Sequence, residues 1–544
     1  MAWIAELDAV SAKRPPVRVP LRGNVPATPR LLRLLDTAPI QRLRGVRQMG
    51  QADLVYPGAV HSRFEHSLGT YDLMRRMLAQ LLEGAGGRLL REDDLRCLLV
   101  AALCHDVGHY PFSHTLEGIA PLPRHEERTR RILLGDPQVV EVLRGAWRVD
   151  PERVAAVVDE SVPLRAASDL RLRELLSGPL NPDRLDYLER DSHHAGVPYG
   201  RAIDSERLMG AIAFAPDGIR LGVSPKGVSA VETLIFASYL MYRELYWHHT
   251  VRAAQAMVRR AVTEALRLGE LDLDELADQD DGGALGRLRA CPNAATTDLV
   301  GRVTGPGRRL YRRVWTGSLQ AAADTGNAFL QAIAGADYWE QVAVCTQACR
   351  GLGAGVPDHA LLVDVAGQGK ELFFEVPVVD GGGRTTADPE VSLLAPSLAR
   401  NFDRQAKRVQ VLALPEHVAD FRRHLGLAAP EPGPGIGRGP GMEPGQGMEP
   451  GPGVEPRTGM RPARTRGSGG ATRADGTEGA RGEAPQARAP HAEPNQAEMA
   501  QREAAGAAQA EAAQSDVART DPTAAVRHAP VRTGSRMRPG GGGR

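Results

Sequence analysis

Apolar residues recur at helical spacing through most of the first half of the chain. Over Ser67 to Leu82, the residues Leu68, Tyr71, Leu73, Met74, Met77, Leu78, Leu81 and Leu82 form a broad apolar face, which predicts an amphipathic helix turned toward a core. Leu95 to Leu103 is apolar almost throughout and reads as a buried helix. Leu31 to Leu35, Arg42 to Met49, Val228 to Met241 and Ala253 to Leu268 read as further helices, with the third pattern running on through Leu245. The period changes from Leu361: Leu361 to Val365, Glu371 to Val376 and Val409 to Leu414 read as strands, with Gly381-Gly382-Gly383 as a turn. After about Ala428 no apolar period remains, and Gly-Met-Glu-Pro-Gly occurs at 441–445 and again at 447–451. A segment of that composition cannot bury enough surface to offset chain entropy and is expected to be disordered.

The expected fold is therefore mainly α. An N-terminal extension (1–30) leads into a helical core (31–270), followed by a helical and α+β C-terminal lobe (271–427) and a disordered tail (428–544). Composition changes this picture little. A hydrophobic share of 42% is enough for a core, and a formal net charge of +1 gives no global basic field, so a general nucleic-acid binder is not indicated. Arg532, Arg536, Arg538 and Arg544 leave open a contact between the tail and nucleic acid or acidic partners, against the plainer reading of a solvated tail. The five cysteines (97, 104, 291, 345, 349) lack zinc spacing and fit a reduced cytoplasmic protein. Glu6 stands where a signal peptide needs an apolar core, and no segment has the continuity of a membrane span, so no membrane association is expected.

Three segments concentrate histidine and aspartate: Arg63-Phe64-Glu65-His66, His105-Asp106-Val107-Gly108-His109 and Asp183-Arg184-Leu185-Asp186-Tyr187. Imidazole and carboxylate together suit a divalent metal, and a site with open positions can bind water and polarise phosphoryl oxygens. Taken alone, His105-Asp106 also fits an ordinary helix end, and His66 a core histidine. Gly108 permits a tight turn. His114 and Glu117, three apart, share a face if the segment is helical, so the carboxylate can orient the imidazole; a solvated turn with Ser113 as a cap is the alternative. Tyr187 and Asp191 lie four and eight residues after Asp183, on one side of a helix.

Gln41-Arg42-Leu43-Arg44, Tyr56-Pro57-Gly58-Ala59, Arg63 to Gly69, His105 to His114 and Asp183 to His194 occur in a fixed order. In this the chain resembles the HD-domain phosphohydrolases and, within them, the deoxynucleoside triphosphate triphosphohydrolases, from about Asp36 to about His249 and more weakly to about Leu425. The resemblance implies one divalent metal ion (Mg, Mn or Fe) held by His66, His105, Asp106 and Asp183. It implies catalytic roles for His109, His114, Glu117 and His125, with His125 facing the α-phosphate, and triphosphate contacts from Arg63 and Arg184. Tyr187 and Asp191 would grip the deoxyribose and phosphates, Gln48 and Met49 would pack on the sugar and exclude a 2′-hydroxyl, and Tyr242 and Tyr246 would approach sugar or base. Arg184 stands where a vertebrate branch has lysine, offering a planar fork instead of a point charge, and Tyr242 stands where that branch has histidine. Asp186 is read as structural.

Asp36, Gln41 and Arg44 match positions that bind a regulatory nucleotide in oligomeric members, so a nucleotide activator and a homo-oligomer are implied; a helix cap and a solvated face are the plain alternative. Core packing is the alternative for the aromatic run at 242–247. The function implied is metal-dependent hydrolysis of deoxynucleoside triphosphates to deoxynucleoside and inorganic triphosphate. Two alternatives stay open: an HD-type nucleotidase or other phosphate-ester hydrolase releasing orthophosphate, and a nucleotide-binding sensor whose tail recruits partners.

Overall fold

Ser62 starts the longest helix by accepting a hydrogen bond from the Glu65 amide at 3.3 Å, an N-cap that satisfies one of the first-turn donors. In the computed structural model, which describes residues 3–8, 16–117, 119, 122–365, 376–379, 402 and 408–428, this helix (α1, Arg63–Glu83) begins before the apolar stripe. His66 therefore sits inside its first turn. The expected apolar face is buried. The next helix (α2, Glu92–Cys104) is buried on all sides over its last two turns, every residue from Cys97 to Cys104 lying in the core, and it ends at His105. Helix α3 (His125–Gly135) follows.

Asn181 caps α4 (Pro182–Ala195) by accepting from the Arg184 amide at 2.6 Å, Pro182 takes the first helical position, and Gly196 closes the helix at φ 71°. Helix α5 (Val228–Met241) matches the apolar run, but the chain then widens into a π-helical turn at Tyr242–Tyr246 instead of continuing regularly through Leu245. Helix α6 (His249–Arg267) begins afresh. Leu73, Leu78, Leu98, Leu99, Leu185 and Leu188 belong to one apolar cluster built largely from α1, α2, α4 and α5. Helices α1 and α4 approach closely at Gly69, where a Cβ would collide with the Asp186 carboxylate and the Arg190 guanidinium.

A second apolar cluster joins α6 to α7 (Ala294–Thr304), α8 (Tyr338–Leu352), α9 (Val418–Leu425) and a sheet. Two small hairpins precede that sheet, β1 (Val17–Val19) with β2 (Gly23–Val25) and β3 (Ile212–Phe214) with β4 (Leu221–Val223). The sheet is antiparallel: β5 (Arg312–Ser318) and β6 (Leu361–Asp364) flank β7 (Arg408–Ala413), with Leu361 opposite Ala413 and Asp364 opposite Gln410. The strands expected at Leu361 to Val365 and Val409 to Leu414 are present within a residue. Of the strand expected at 371–376 only Val376 is described; the turn at 381–383 and the tail beyond 428 lie outside the described residues. Val376 to Val379 lies beside β4, where the Val223 amide donates to the Pro377 carbonyl at 2.9 Å and the Val379 amide to the Val223 carbonyl at 2.8 Å.

One helix expected from the sequence is absent. A short helix ends at Arg42, a single 3₁₀ turn covers Leu43–Gly45, and Val46 to Met49 is not helical. The Val46 carbonyl accepts from the Arg63 amide at 2.9 Å and Arg47 pairs with Ser62, so this stretch is used as an extended brace for the start of α1. Gly45 lies so close to Asp280 that a side chain there would overlap its carboxylate. Among the described residues, no helix is long and apolar enough to cross a membrane.

Candidate metal and phosphate site

The first turn of α1, the end of α2 and the first turn of α4 bring His66, His105 and Asp183 together, with one ligand atom from each lying within 4.8 Å of the others. Each imidazole is locked by its other nitrogen. His105 Nδ1 faces the Ala102 carbonyl at 2.9 Å and His66 Nδ1 faces Asp186 Oδ2 at 2.9 Å. Both partners are acceptors, so both Nδ1 atoms carry the proton, and both Nε2 lone pairs point at one spot. Asp183 Oδ1 stands 2.9 Å from His66 Nε2 and 3.5 Å from His105 Nε2, but neither Nε2 has a hydrogen-bond partner although both are buried.

Two buried, unpartnered imidazole nitrogens converging on a carboxylate are a donor set that fits a borderline divalent ion. Charge makes the same point. Burial opposes a proton on His66, yet the nearby Asp183 and Asp186 carboxylates carry its pKa up to about 10. A cation bound at this spot would displace that proton.

Asp106, the fourth expected ligand, lies 3.7 Å from His66 Nε2 and 3.5 Å from His105 Nε2. It also forms a close ion pair with the buried Arg63, whose Nε donates to Ser113 Oγ at 2.8 Å. Burial works against the Asp106 carboxylate, but Arg63 and the flanking histidines hold it well below its ordinary pKa. The backbone of the turn that carries it is held from behind: Arg42 donates to the Val107 and His109 carbonyls at 2.9 and 2.7 Å, and Arg128 to the Gly108 carbonyl at 3.1 Å. Gly108 is required there because a Cβ would strike the His125 carbonyl and the Thr129 amide.

On the far side of Asp106, His109 Nε2 lies 3.2 Å from Asp106 Oδ1, and the His109 ring stacks on His125 at 3.9 Å. Burial, reinforced by the charges of Arg63 and His125, keeps His109 neutral. Glu117 bridges two imidazoles, with Oε2 2.9 Å from His114 Nδ1 and Oε1 2.8 Å from His125 Nδ1. Its partial burial would raise its pKa, but the two histidines hold it well below the ordinary value. His114 and Glu117 lie on a single 3₁₀ turn, Ser113–Leu116, and its end; the side chains at i and i+3 eclipse there, which brings the pair together. Phe112 and Ser113 have φ values of 62° and 54°, a strained lead into the turn held in part by the Phe112 amide donating to Asp281 Oδ1 at 2.7 Å. Ser113 does not cap this turn with its side chain, which instead bonds Arg63 and the Arg47 carbonyl.

His114 and Glu117 open onto a cavity of about 650 Å³. Gln48, Met49, Tyr187, Asp191, Tyr242 and Tyr246 line it, so six of the residues singled out for substrate face one space. Asp191 is fixed from two sides: Oδ2 accepts from the Tyr246 hydroxyl at 2.8 Å and Oδ1 lies 2.7 Å from His61 Nε2. Arg63 and Arg184 are not part of this lining. Arg184 sits at the start of α4 near Tyr187, reaching toward the Pro179 carbonyl.

Asp36, Gln41 and Arg44 form no part of the cavity lining. Asp36 ends the Pro29–Leu35 helix, Gln41 donates to the Leu35 carbonyl at 2.7 Å, and Arg44 donates to Gln41 at 2.8 Å while its guanidinium lies over Phe64 at 3.7 Å.

Asp186, read from sequence as structural, has a second task. It is fully buried, accepts from Arg22 and Arg190, and also sets the tautomer of His66. Four other positions were not anticipated: His61, which holds Asp191, and Arg252, Arg259 and Tyr338, which line the cavity from α6 and α8. The only sequence signal for the last three is a pair of arginines on the polar face of α6, seven residues apart.

Residues 63–160 match the HD domain and residues 203–426 match the HD associated region. The chain is 38% identical over 236 residues to the uncharacterized protein YwfO of Bacillus subtilis (strain 168), covering 43% of this chain and 52% of that protein. It is 29% identical over 277 residues to the Homo sapiens deoxynucleoside triphosphate triphosphohydrolase SAMHD1, covering 45% of this chain and 44% of that protein. Thus the chain spans about half the length of the curated relatives it matches. The crystal structure of a hypothetical protein from Aquifex aeolicus superposes with a TM-score of 0.56 at 24% identity, over 75% of this chain and 99% of that one, which supports the same fold.

Proposed function

The chain belongs to the HD-domain family, and from that premise we propose that it is a metal-dependent phosphohydrolase that cleaves deoxynucleoside triphosphates into deoxynucleoside and inorganic triphosphate. The observation that carries this reading is the junction of two arrangements. Two imidazoles locked with Nε2 toward Asp183 lie beside Asp106, His109 links Asp106 to His125, and Glu117 ties His125 to His114, which with Glu117 opens onto a nucleotide-sized cavity. Relatives with a named activity include the deoxynucleoside triphosphate triphosphohydrolases of Bos taurus and Homo sapiens.

In this reading His66, His105, Asp106 and Asp183 hold the metal, whose contribution when bound is to withdraw charge from phosphoryl oxygens. The chain's own side chains do the rest. Water attacks the α-phosphorus, its oxygen forms the new P–O bond, the bond to the 5′-oxygen breaks, and the proton that water loses restores the one given to the 5′-oxygen. His114, oriented by Glu117, gives the proton that the departing 5′-oxygen needs, and His109 and His125 line the approach of the α-phosphate. Tyr187, Asp191 and Tyr246 grip the sugar side, with Tyr242 beside the base, while Arg63 and Arg184 add positive charge behind the phosphates. Gln48 and Met49 close on C2′, where a hydroxyl would meet a thioether and find no partner.

The wild-type protein is expected to turn over a deoxynucleoside triphosphate about 10²-fold better than its ribonucleotide counterpart, a ratio typical of steric exclusion by an apolar residue. Met49→Ala should bring that ratio to within about tenfold. Initial rates for both nucleotides with Mg²⁺ or Mn²⁺ test this. Equal turnover of both by the wild type removes the sugar assignment, and turnover of neither removes the proposed substrate.

A further inference from the structure

Where α6 and α8 line the cavity, two arginines face a single buried carboxylate, with Glu117 of the acid/base pair the next charge felt by Arg259. Arg252 and Arg259, both on α6, line this wall together with Gln255, Tyr338 and Gln341. One buried carboxylate, Asp364 at the end of β6, faces both guanidiniums. Arg252 takes it in a two-pronged pair, Nε to Oδ2 and Nη2 to Oδ1, each at 2.6 Å. Arg259 is left with a loose approach to the same Oδ1 at 4.0 Å. Its Nε donates to the Thr115 carbonyl at 2.9 Å, and its guanidinium lies over the Tyr338 ring at 5.6 Å.

Arg259 is thus fixed by a backbone bond and an aromatic face, with its side chain only 13% exposed. Burial costs this cation most, Asp364 offsets part of that cost, and the Arg252 charge adds to it. Thr115 is the neighbour of His114, so the charge sits beside the proposed acid/base pair. A largely desolvated guanidinium that lines a cavity and has only a loose carboxylate neighbour is matched by a phosphate group, which accepts two parallel hydrogen bonds from it.

We propose that Arg259, framed by Arg252, Asp364 and Tyr338, forms an anion subsite that binds a phosphate of a polyphosphate chain at the wall supplied by α6 and α8. This deepens the phosphohydrolase reading of the same cavity and rests on it for its place in a reaction: the subsite would hold one phosphate of the triphosphate. Arg252 keeps its carboxylate and supports Arg259, and only Arg259 contacts the anion directly.

The test is calorimetric titration of inorganic tripolyphosphate into the purified full-length protein with its bound metal, and into Arg259→Gln and Arg259→Lys. Arg259→Gln is expected to weaken binding by about tenfold or more, with Arg259→Lys in between and thermal midpoints unchanged. Asp364→Asn, which removes the shared negative charge, should bind tripolyphosphate at least as tightly as the wild type, a direction that structural damage would not produce. Absence of tripolyphosphate binding by the wild type, a change under about threefold in Arg259→Gln, or weaker binding by Asp364→Asn overturns the subsite. Failure of the parent reading is separable. Arg259-dependent tripolyphosphate binding by a protein that turns over no nucleotide keeps the subsite and removes the triphosphohydrolase, whereas turnover with Arg259-independent binding does the reverse.

Discussion

Replacing Asp183 by alanine is expected to lower turnover by about 10³-fold or more, because loss of a ligand forfeits several kcal/mol of charge stabilisation on the phosphoryl group. The change should leave the fold intact. The Asp183 side chain is 31% exposed, sits in the first turn of α4, and faces His66 and His105, so its removal opens no apolar cavity. What it removes is the carboxylate nearest His66 Nε2, leaving Asp106 as the other acidic group facing the two imidazoles. Initial rates and metal content of the purified variant check this together: wild-type turnover, or full metal content, in Asp183→Ala contradicts the ligand assignment.

The largest effect on stability is expected at Asp186. This carboxylate lies fully buried between α1 and α4, accepting from Arg22 Nε at 2.9 Å and from Arg190 Nε and Nη2 at 2.7 and 2.8 Å. Burial opposes its charge, yet Arg190 and His66 hold its pKa far below the ordinary range. Asp186→Ala leaves two buried guanidiniums short of a partner and should cost about 3–5 kcal/mol, read as a fall in the urea midpoint of the metal-free protein. Glu189 and Glu65 still face Arg22 and Arg190, which places the loss toward the lower end.

The same change releases His66 Nδ1, so metal affinity should fall by about 10–100-fold, as for other partners that orient a ligand imidazole. Asp186→Asn keeps the volume and separates the two effects. Since the folded pKa of Asp186 is depressed, its contribution is complete above the unfolded value of about 3.9 and is lost as the pH falls below it. An unchanged urea midpoint in Asp186→Ala contradicts this account of the α1–α4 contact.

Helices α1, α2 and α5 were legible in the sequence because long runs of buried residues leave a period that local spacing displays. The segment from Arg42 to Met49 misled because its apolar residues, Leu43, Val46 and Met49, are spaced as on a helix although they are buried by an extended brace and a tight turn. The π turn at Tyr242–Tyr246 carries no period of its own, and β5 is written as Arg-Arg-Val-Trp-Thr-Gly-Ser, too polar to announce a strand.

Within the site, histidine and aspartate positions stood out by type and order. What sequence could not display were partners that become neighbours only through folding. His61 meets Asp191 across 130 positions, and Asp364 meets Arg252 across 112. Arg252 and Arg259 resemble solvated helix charges until the sheet and α8 close over them.

The most direct test of the central claim is phosphorus NMR of the products formed from each deoxynucleoside triphosphate, alone and in mixtures, with Mg²⁺ or Mn²⁺ supplied. The account predicts inorganic tripolyphosphate and free deoxynucleoside in equal amounts, without orthophosphate. Orthophosphate released stepwise from the triphosphate, or released from monophosphates by a protein that leaves triphosphates intact, contradicts it.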